Sequence, residues 1–329
     1  MGNRVFLHAA ALAAVLSASL TAQPSPKPKS WTVLRAGDGH PNLQGIWTNA
    51  TLTPMQRPTE FAGKKTVTDA EASAYEKKDL ETNNIDNPEA PLLARAGSAE
   101  TGGYNNLFID RGSQLARVDG EKRTSLIIDP PDGKLPAVTE EARARTAAMM
   151  KRGFDVYDTV KDRPLAERCI VGFGSTSGPP MMPVLYNNTY QIVQNKDTIM
   201  ILVEMVHDVR VIRMNGTHKP PEIRQWLGDS IGHWEGDVLV VDTTNFTDET
   251  RFAGTGASLH VVERFQRVGP DSILYRATID DPHTFTKQWT VEFPFSASPG
   301  PIFEYACHEG NYAMPDILGG ARKLEGEKR

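Results

Sequence analysis

The chain has 329 residues, 39% of them hydrophobic and 23% charged, a composition that excludes a fibrous, collagen-like or wholly disordered protein. Lys and Arg number 36 against 41 Asp and Glu, a formal charge of −5, so no basic excess points to nucleic acid and no nucleic-acid partner is expected. At this length roughly three quarters of the unfolded surface can be buried, so folding requires neither a metal nor a disulfide.

The first residues read as an address. Arg4 supplies a short positive region, Val5–Leu16 is apolar apart from His8, and the mostly small residues Ser17–Ala22 follow. That order predicts a secretory signal peptide, residues 1–22, cleaved near Ala22. The apolar run falls short of the about twenty residues a spanning helix needs, and no Cys at the boundary offers a lipoprotein anchor. Residues 23–40 read as a flexible Pro-rich leader. The remainder, 41–329, reads as a single β-barrel domain with a long loop and helix insertion at about 55–185. The expected location is the periplasm or the medium, with no membrane span.

Further along, Leu43–Thr48 has the composition of a strand, and its Gly45-Ile46-Trp47 resembles the opening strand of lipocalin-like barrels. Asp69–Thr82 predicts an exposed helix with Thr68 as N-cap and Glu71 at the capping-box position. Glu140–Arg152 predicts a second helix. Gly172–Pro183 is rich in Gly, Ser, Pro and Met and reads as a loop of a length that is usually functional or disordered. From Asn188 the pattern changes to short alternating segments separated by turn residues. These are Tyr190–Gln194, Thr198–Val203, Val209–Met214, Ser230–Trp234, Val238–Thr243, Leu259–Val268, Ser272–Ile279, Phe285–Phe293 and Ile302–Cys307. Such a succession predicts an antiparallel meander that closes on itself and so removes its edges. The expected fold is mainly β: an antiparallel lipocalin-like (calycin-type) barrel of about eight strands, wrapped by an irregular, partly helical N-terminal half.

Four segments together carry a family resemblance: RTSLIIDPPDGK (Arg123–Lys134), GDSIGHWEGDVLVVDTTNF (Gly228–Phe246), LHVVERFQRV (Leu259–Val268) and YACHEGNY (Tyr305–Tyr312). In this order the chain resembles a large family of exported, functionally uncharacterised proteins of environmental bacteria. The resemblance implies export and fold, and it brings no catalytic assignment with it.

Cys169 and Cys307 are the only cysteines and lie 138 residues apart. An oxidising compartment favours a disulfide between them. The alternative pairs Cys307 with His308 as a nucleophile and base. Adjacent strand residues point to opposite faces, which places that pair poorly for sharing a proton.

The sequence contains no HExxH, P-loop or GxGxxG fingerprint, so the common metalloprotease and nucleotide signatures are absent. Two polar clusters remain. Glu204–Arg210 interrupts apolar strand residues; Asp208 and Arg210 share one strand face and His207 the other, and a bend there would bring all three to the barrel rim. Acid, base and cation together suit proton transfer on a bound substrate. In the second cluster, His308 and Glu309 follow Cys307, which as a bridged residue would hold them rigidly. These four, His308, Glu309, His207 and Asp208, are the candidate catalytic residues. The loop Tyr104–Gly112 offers aromatic, amide and charged groups for a ligand mouth, so Tyr104, Asn105, Asp110 and Arg111, with Arg210, are the candidate substrate-binding residues. No cofactor is expected. A divalent metal on His207, His260 and His308 has no supporting spacing, although it is not excluded. Asp242–Asn245 and Asp280-Asp281 read as turn caps. Glu263-Arg264 lies within a strand, so one of the two must face inward, where a charge needs a partner.

The partner expected from all this is a small molecule, and the function an exported enzyme of hydrolase or lyase type using His and carboxylate acid–base chemistry at the barrel mouth. The alternative is a non-catalytic periplasmic lipocalin-like carrier of an apolar or amphipathic ligand.

Overall fold

The computed structural model describes residues 31–84, 109–152, 156–172 and 178–327. Its first half contains the short strand β1 (Gly45–Thr48), β2 (Thr66–Val67), helix α1 (Asp69–Thr82), β3 (Arg117–Val118), β4 (Glu121–Arg123), β5 (Ile127–Asp129) and helix α2 (Glu140–Arg152). Strands dominate the second half: β6 (Thr189–Gln194), β7 (Thr198–Val203), β8 (Val209–Met214), β9 (Asp229–Glu235) and β10 (Val238–Thr244). β11 (His260–Gly269), β12 (Ser272–Asp280) and β13 (Trp289–Ala297) follow, and helix α3 (Ala313–Glu327) comes last.

Local chemistry sets the helix ends. The Thr68 hydroxyl accepts the Glu71 N–H at 3.2 Å while the Glu71 carboxylate accepts the Thr68 N–H at 2.9 Å, so α1 starts with two of its otherwise orphaned donors satisfied. β2, β4 and β3 form a small separate sheet.

The main sheet runs β1-β6-β7-β8-β9-β10-β11-β12-β13, and β13 returns to β1 through Trp47 opposite Ala297, which closes a barrel. Two features correct the expectation of about eight antiparallel strands. The barrel has nine strands, and β8 runs parallel to β9. The two are linked: neighbours that all alternate in direction close consistently only in even number, so a nine-strand ring must contain a like-directed pair. The long connection 215–228 supplies the return that parallel neighbours require.

The segment Ile302–Cys307 forms no strand. β13 already pairs with β12 on one side and with β1 and β5 on the other, so no edge is left for it. β1 takes the closing position instead.

Inward alternation fills the barrel. Val261, Glu263 and Phe265 of β11 and Ile273, Tyr275, Ala277 and Ile279 of β12 are all fully buried. Tyr275 lies 5.1 Å from each of Phe265, Phe293 and Phe295, ring to ring. The interior is thus a packed aromatic core. Glu263, the inward member of Glu263-Arg264, is 0% exposed and meets Arg210, itself 3% exposed, through two hydrogen bonds of 3.1 and 2.6 Å. The Tyr275 hydroxyl donates to the same carboxylate at 2.8 Å and accepts the Met181 N–H at 2.8 Å. The inward charge has the partner its position demands.

Cys169 and Cys307 are bonded, with their Cα atoms 5.8 Å apart. The bridge ties the stretch before α3 to the loop at Cys169. Replacing both cysteines by Ser is expected to lower unfolding free energy by about 2–5 kcal/mol in urea titration. An unchanged midpoint would show that α3 and its approach are held without the bridge.

Candidate functional site

The parallel junction leaves a gap in the barrel wall. β8 and β9 come into register only at Ile212 opposite Ser230, Arg213 opposite Ile231 and Met214 opposite Gly232. Gly232 is required there: a Cβ would approach Ile212 Cγ2 to 2.8 Å and Met214 Sδ to 3.0 Å. Before that register, Val209–Val211 and the approach to β9 separate around a cleft of about 290 Å³. Gly228, with φ +71°, turns the chain into β9 where a Cβ would meet Thr243 Cγ2 and Thr244 O at 2.7 Å.

The lining comes from both faces of β8, as a breach in a wall requires. Asp208, Arg210 and Arg213 come from this side, and Lys219, Trp226 and Asp229 from the other. Arg210 spends two nitrogens on Glu263, while its buried Nε has no hydrogen-bond partner. An unsatisfied buried donor costs about 1–3 kcal/mol, and this one is enclosed in the barrel wall.

A chain of charged hydrogen bonds runs beside the cleft. Both Asp229 oxygens accept from Arg213 Nη2 at 2.9 Å, and Asp229 Oδ2 also accepts the Lys219 N–H at 2.9 Å and faces His218 Nδ1 at 3.1 Å. His218 Nε2 lies 2.9 Å from Asp242 Oδ1, and His260 Nε2 lies 2.9 Å from Asp242 Oδ2. Burial works against the charge on Asp229, yet the hydrogen bonds from Lys219 and His218 and the Arg213 charge hold its carboxyl below the usual range. Asp242 is likewise opposed by burial and likewise held low, by His260 and His218. The hydrogen bond to Asp242 raises His260, against its partial burial. Among the described residues no group of three or more His, Cys, Asp or Glu side chains is arranged to hold a metal ion.

The sequence-predicted residues divide. Asp208 and Arg210 meet at the cleft, as the bend demands: Val206 and His207 take φ of +63° and +56°, which breaks the strand before β8. His207 is exposed, and its Nε2 accepts the Tyr305 N–H at 2.8 Å. His308 and Glu309 are exposed beyond the disulfide and are not among the cleft-lining residues. Asp110 accepts the Asn188 N–H at 3.0 Å and its Nδ2 at 2.9 Å, and burial raises its carboxyl. Arg111 pairs with Asp79 of α1. Both therefore fasten a loop. Tyr104 and Asn105 lie outside the described residues. Asp281 caps its turn as read, accepting the Gly256 and His283 N–H groups at 3.1 and 3.0 Å. Asp242 is no turn cap, because β10 continues through it to Thr244. His218, on the connection from β8 to β9, carried no local signal at all.

Among the described residues no helix is long and apolar enough to cross a membrane. No family model, curated protein or solved structure matches the chain.

The hydrogen bond that raises His260 has a definite sign. A raised folded value contributes stability at pH below the unfolded value of 6.5 and loses it as pH rises through the folded one. The lowered Asp242 contributes above its ordinary 3.8 and loses it as pH falls through the folded value. Asp242→Asn is therefore expected to lower the His260 titration midpoint in proton NMR and flatten both flanks of the pH–stability curve. An unmoved His260 midpoint would mean that the Asp242 contact is not formed in solution.

Proposed function

We propose that the chain is an exported member of the bacterial family its four segments resemble, that its leader is cut near Ala22, and that it acts on a small molecule bound in the β8–β9 cleft. The reaction is of hydrolase or lyase type and is driven by acid–base chemistry. Asp208 takes or gives the proton at the reacting centre. The Arg210 guanidinium, fixed by Glu263 in the cleft wall, favours negative charge that develops on a substrate oxygen. Hydrogen bonds from Asp229 through His218 and Asp242 to His260 brace the side of the cleft that Asp229 lines. The observation that carries this reading is the Arg210 side chain, 1% exposed, fixed by Glu263 on two nitrogens and set in the wall of a cleft that Asp208 also lines.

A packed barrel interior moves the binding space from the lumen to the wall. His308 and Glu309 are given no proton to move in this reading. The alternative remains a carrier that binds in the same cleft without turnover.

One comparison tests the proposal. The wild-type protein and Asp208→Asn are incubated with a pooled bacterial small-molecule extract, and depletion is followed by mass spectrometry. The wild type is expected to deplete a narrow set of compounds, with products that gain water or split without it. Asp208→Asn should slow this by about 10²–10⁴-fold with its melting temperature nearly unchanged. Equal depletion by both proteins would remove Asp208 from the chemistry, and binding without depletion would favour the carrier.

A further inference from the structure

The open stretch of β8 can be followed one backbone group at a time. The Val203 N–H donates to the Asp208 C=O at 2.8 Å, which fixes the phase of the β7–β8 ladder. Alternate residues of a strand turn their N–H and C=O to opposite neighbours, so Arg210 and Ile212 bond to β7 while Val209 and Val211 turn theirs to the seam. β9 joins only from Ile212 opposite Ser230, and that parallel register takes up the Val211 C=O and nothing before it. On the other side the chain curls rather than extending the ladder: Gly228 donates its N–H back to the Gln225 C=O at 3.2 Å. The Val209 N–H and C=O and the Val211 N–H therefore meet no partner among the described residues. Both valines line the cleft of about 290 Å³.

An unpaired strand edge is a template for another extended chain, and folded proteins commonly defend one with proline, a bulge or an outward charge. This stretch has none of the three. Its outward positions are Val209 and Val211, 49% and 50% exposed. They stand opposite Leu202 and Met200 of β7, so an apolar row flanks the edge on the outer face. Arg210, between them, points into the packed barrel. The slot also has two walls, β8 on one side and residues 225–230 on the other. The β8 of a second copy could not enter it, because its own barrel holds it on both sides. A single extended chain that belongs to no sheet has both edges free.

We infer that the β8–β9 cleft takes up a short extended peptide as a strand added to β8, through the Val209 N–H and C=O and the Val211 N–H. This rests on the reading of the cleft as the binding site and names the class of molecule bound there. Main-chain hydrogen bonds give such a complex affinity, and the alternation of side chains gives it specificity. Peptide residues opposite Val209 and Val211 point outward beside the apolar row and are apolar. The residue between them, opposite Arg210, points at the packed interior and is small, glycine or alanine.

The test uses the full mature protein, isotope-labelled for amide NMR. The probes are acetyl-Val-Ala-Val-amide, the same peptide with all residue nitrogens methylated, and acetyl-Val-Leu-Val-amide. In the free protein the Val209 and Val211 amides are expected to exchange with deuterium about tenfold or more faster than those of Arg210 and Ile212. The alanine peptide should shift both valine amides saturably, with a Kd on the order of 1 mM, and slow their exchange. Methylation removes the peptide's donors and should weaken binding about tenfold or more, and the leucine side chain should do the same. Val209→Pro removes one seam-facing N–H without breaking a bond to β7. Asp208 already has the extended φ of −68° and ψ of 142° that a following proline requires. This variant should also bind about tenfold more weakly; if it fails to fold, the methylated peptide carries the test.

The inference is overturned if Val209 and Val211 are as protected as Arg210 and Ile212 in the free protein, or if the alanine peptide moves neither amide at about tenfold that concentration. Equal binding by either control peptide overturns it as well. So does protection that rises with protein concentration alone, which would make the occupant a second copy. None of these results touches the Asp208 role. Equal depletion by wild type and Asp208→Asn would instead remove the enzyme reading while a bound peptide remained.

Discussion

Parity governs this fold. Nine strands in a ring cannot all alternate in direction, so one pair of neighbours must run the same way, and that pair is β8 and β9. Parallel neighbours cannot be joined by a tight hairpin; the chain has to travel back along the barrel before it pairs. The connection 215–228 makes that journey, and it carries His218, Lys219 and Trp226 to the seam. The same connection lets β8 and β9 separate ahead of their shared register. The cleft, the residues around it and the break in an otherwise sealed wall all follow from one odd strand.

The barrel hides Arg210 and Glu263 almost entirely, with side chains 1% and 0% exposed. Removing two charges from water costs several kcal/mol per ion, and their attraction offsets this only when geometry and hydrogen bonding are good. Here the guanidinium and carboxylate meet at 3.1 and 2.6 Å, with Tyr275 as a third donor to the carboxylate. Burial and the adjacent Glu263 charge push the Tyr275 hydroxyl well above its ordinary value, so it stays protonated and donates. A packed apolar set of side chains would serve stability equally well at this position. What such a set lacks is a fixed charge in the wall of the cleft.

How much of this could be read in the sequence depends on the range of the interaction concerned. Helix α1 was legible to its ends because Thr68 and Glu71 act within one turn. β7 and β8 were legible because alternation and turn residues are local. The disulfide was legible from the expected compartment and the cysteine count, and Glu263 from the rule that an inward charge needs a partner. Closure was not legible: β1 meets β13 across most of the chain, and nothing in Ile302–Cys307 announces that both edges of β13 are taken. Asp242 was misplaced because an acidic residue followed by Thr-Thr-Asn also has the composition of a turn. Reading Asp242–Asn245 as a cap made it a turn residue, whereas β10 continues to Thr244 and pairs Asp242 with Val262, two positions from His260 on the neighbouring strand. His218 could have been found only by knowing that the strands on either side of it run parallel.

The central claim is that the Arg210–Glu263 pair serves the cleft rather than the stability of the barrel. Its most direct test compares Glu263→Leu with the double variant Arg210→Met/Glu263→Leu, by urea unfolding and by turnover of the compounds the wild type depletes. The single variant strands a buried charge and should lose about 3–5 kcal/mol. The double variant should recover most of that stability and still show no turnover. A double variant that folds and retains wild-type turnover would contradict the account, because the site would then lie away from the parallel seam.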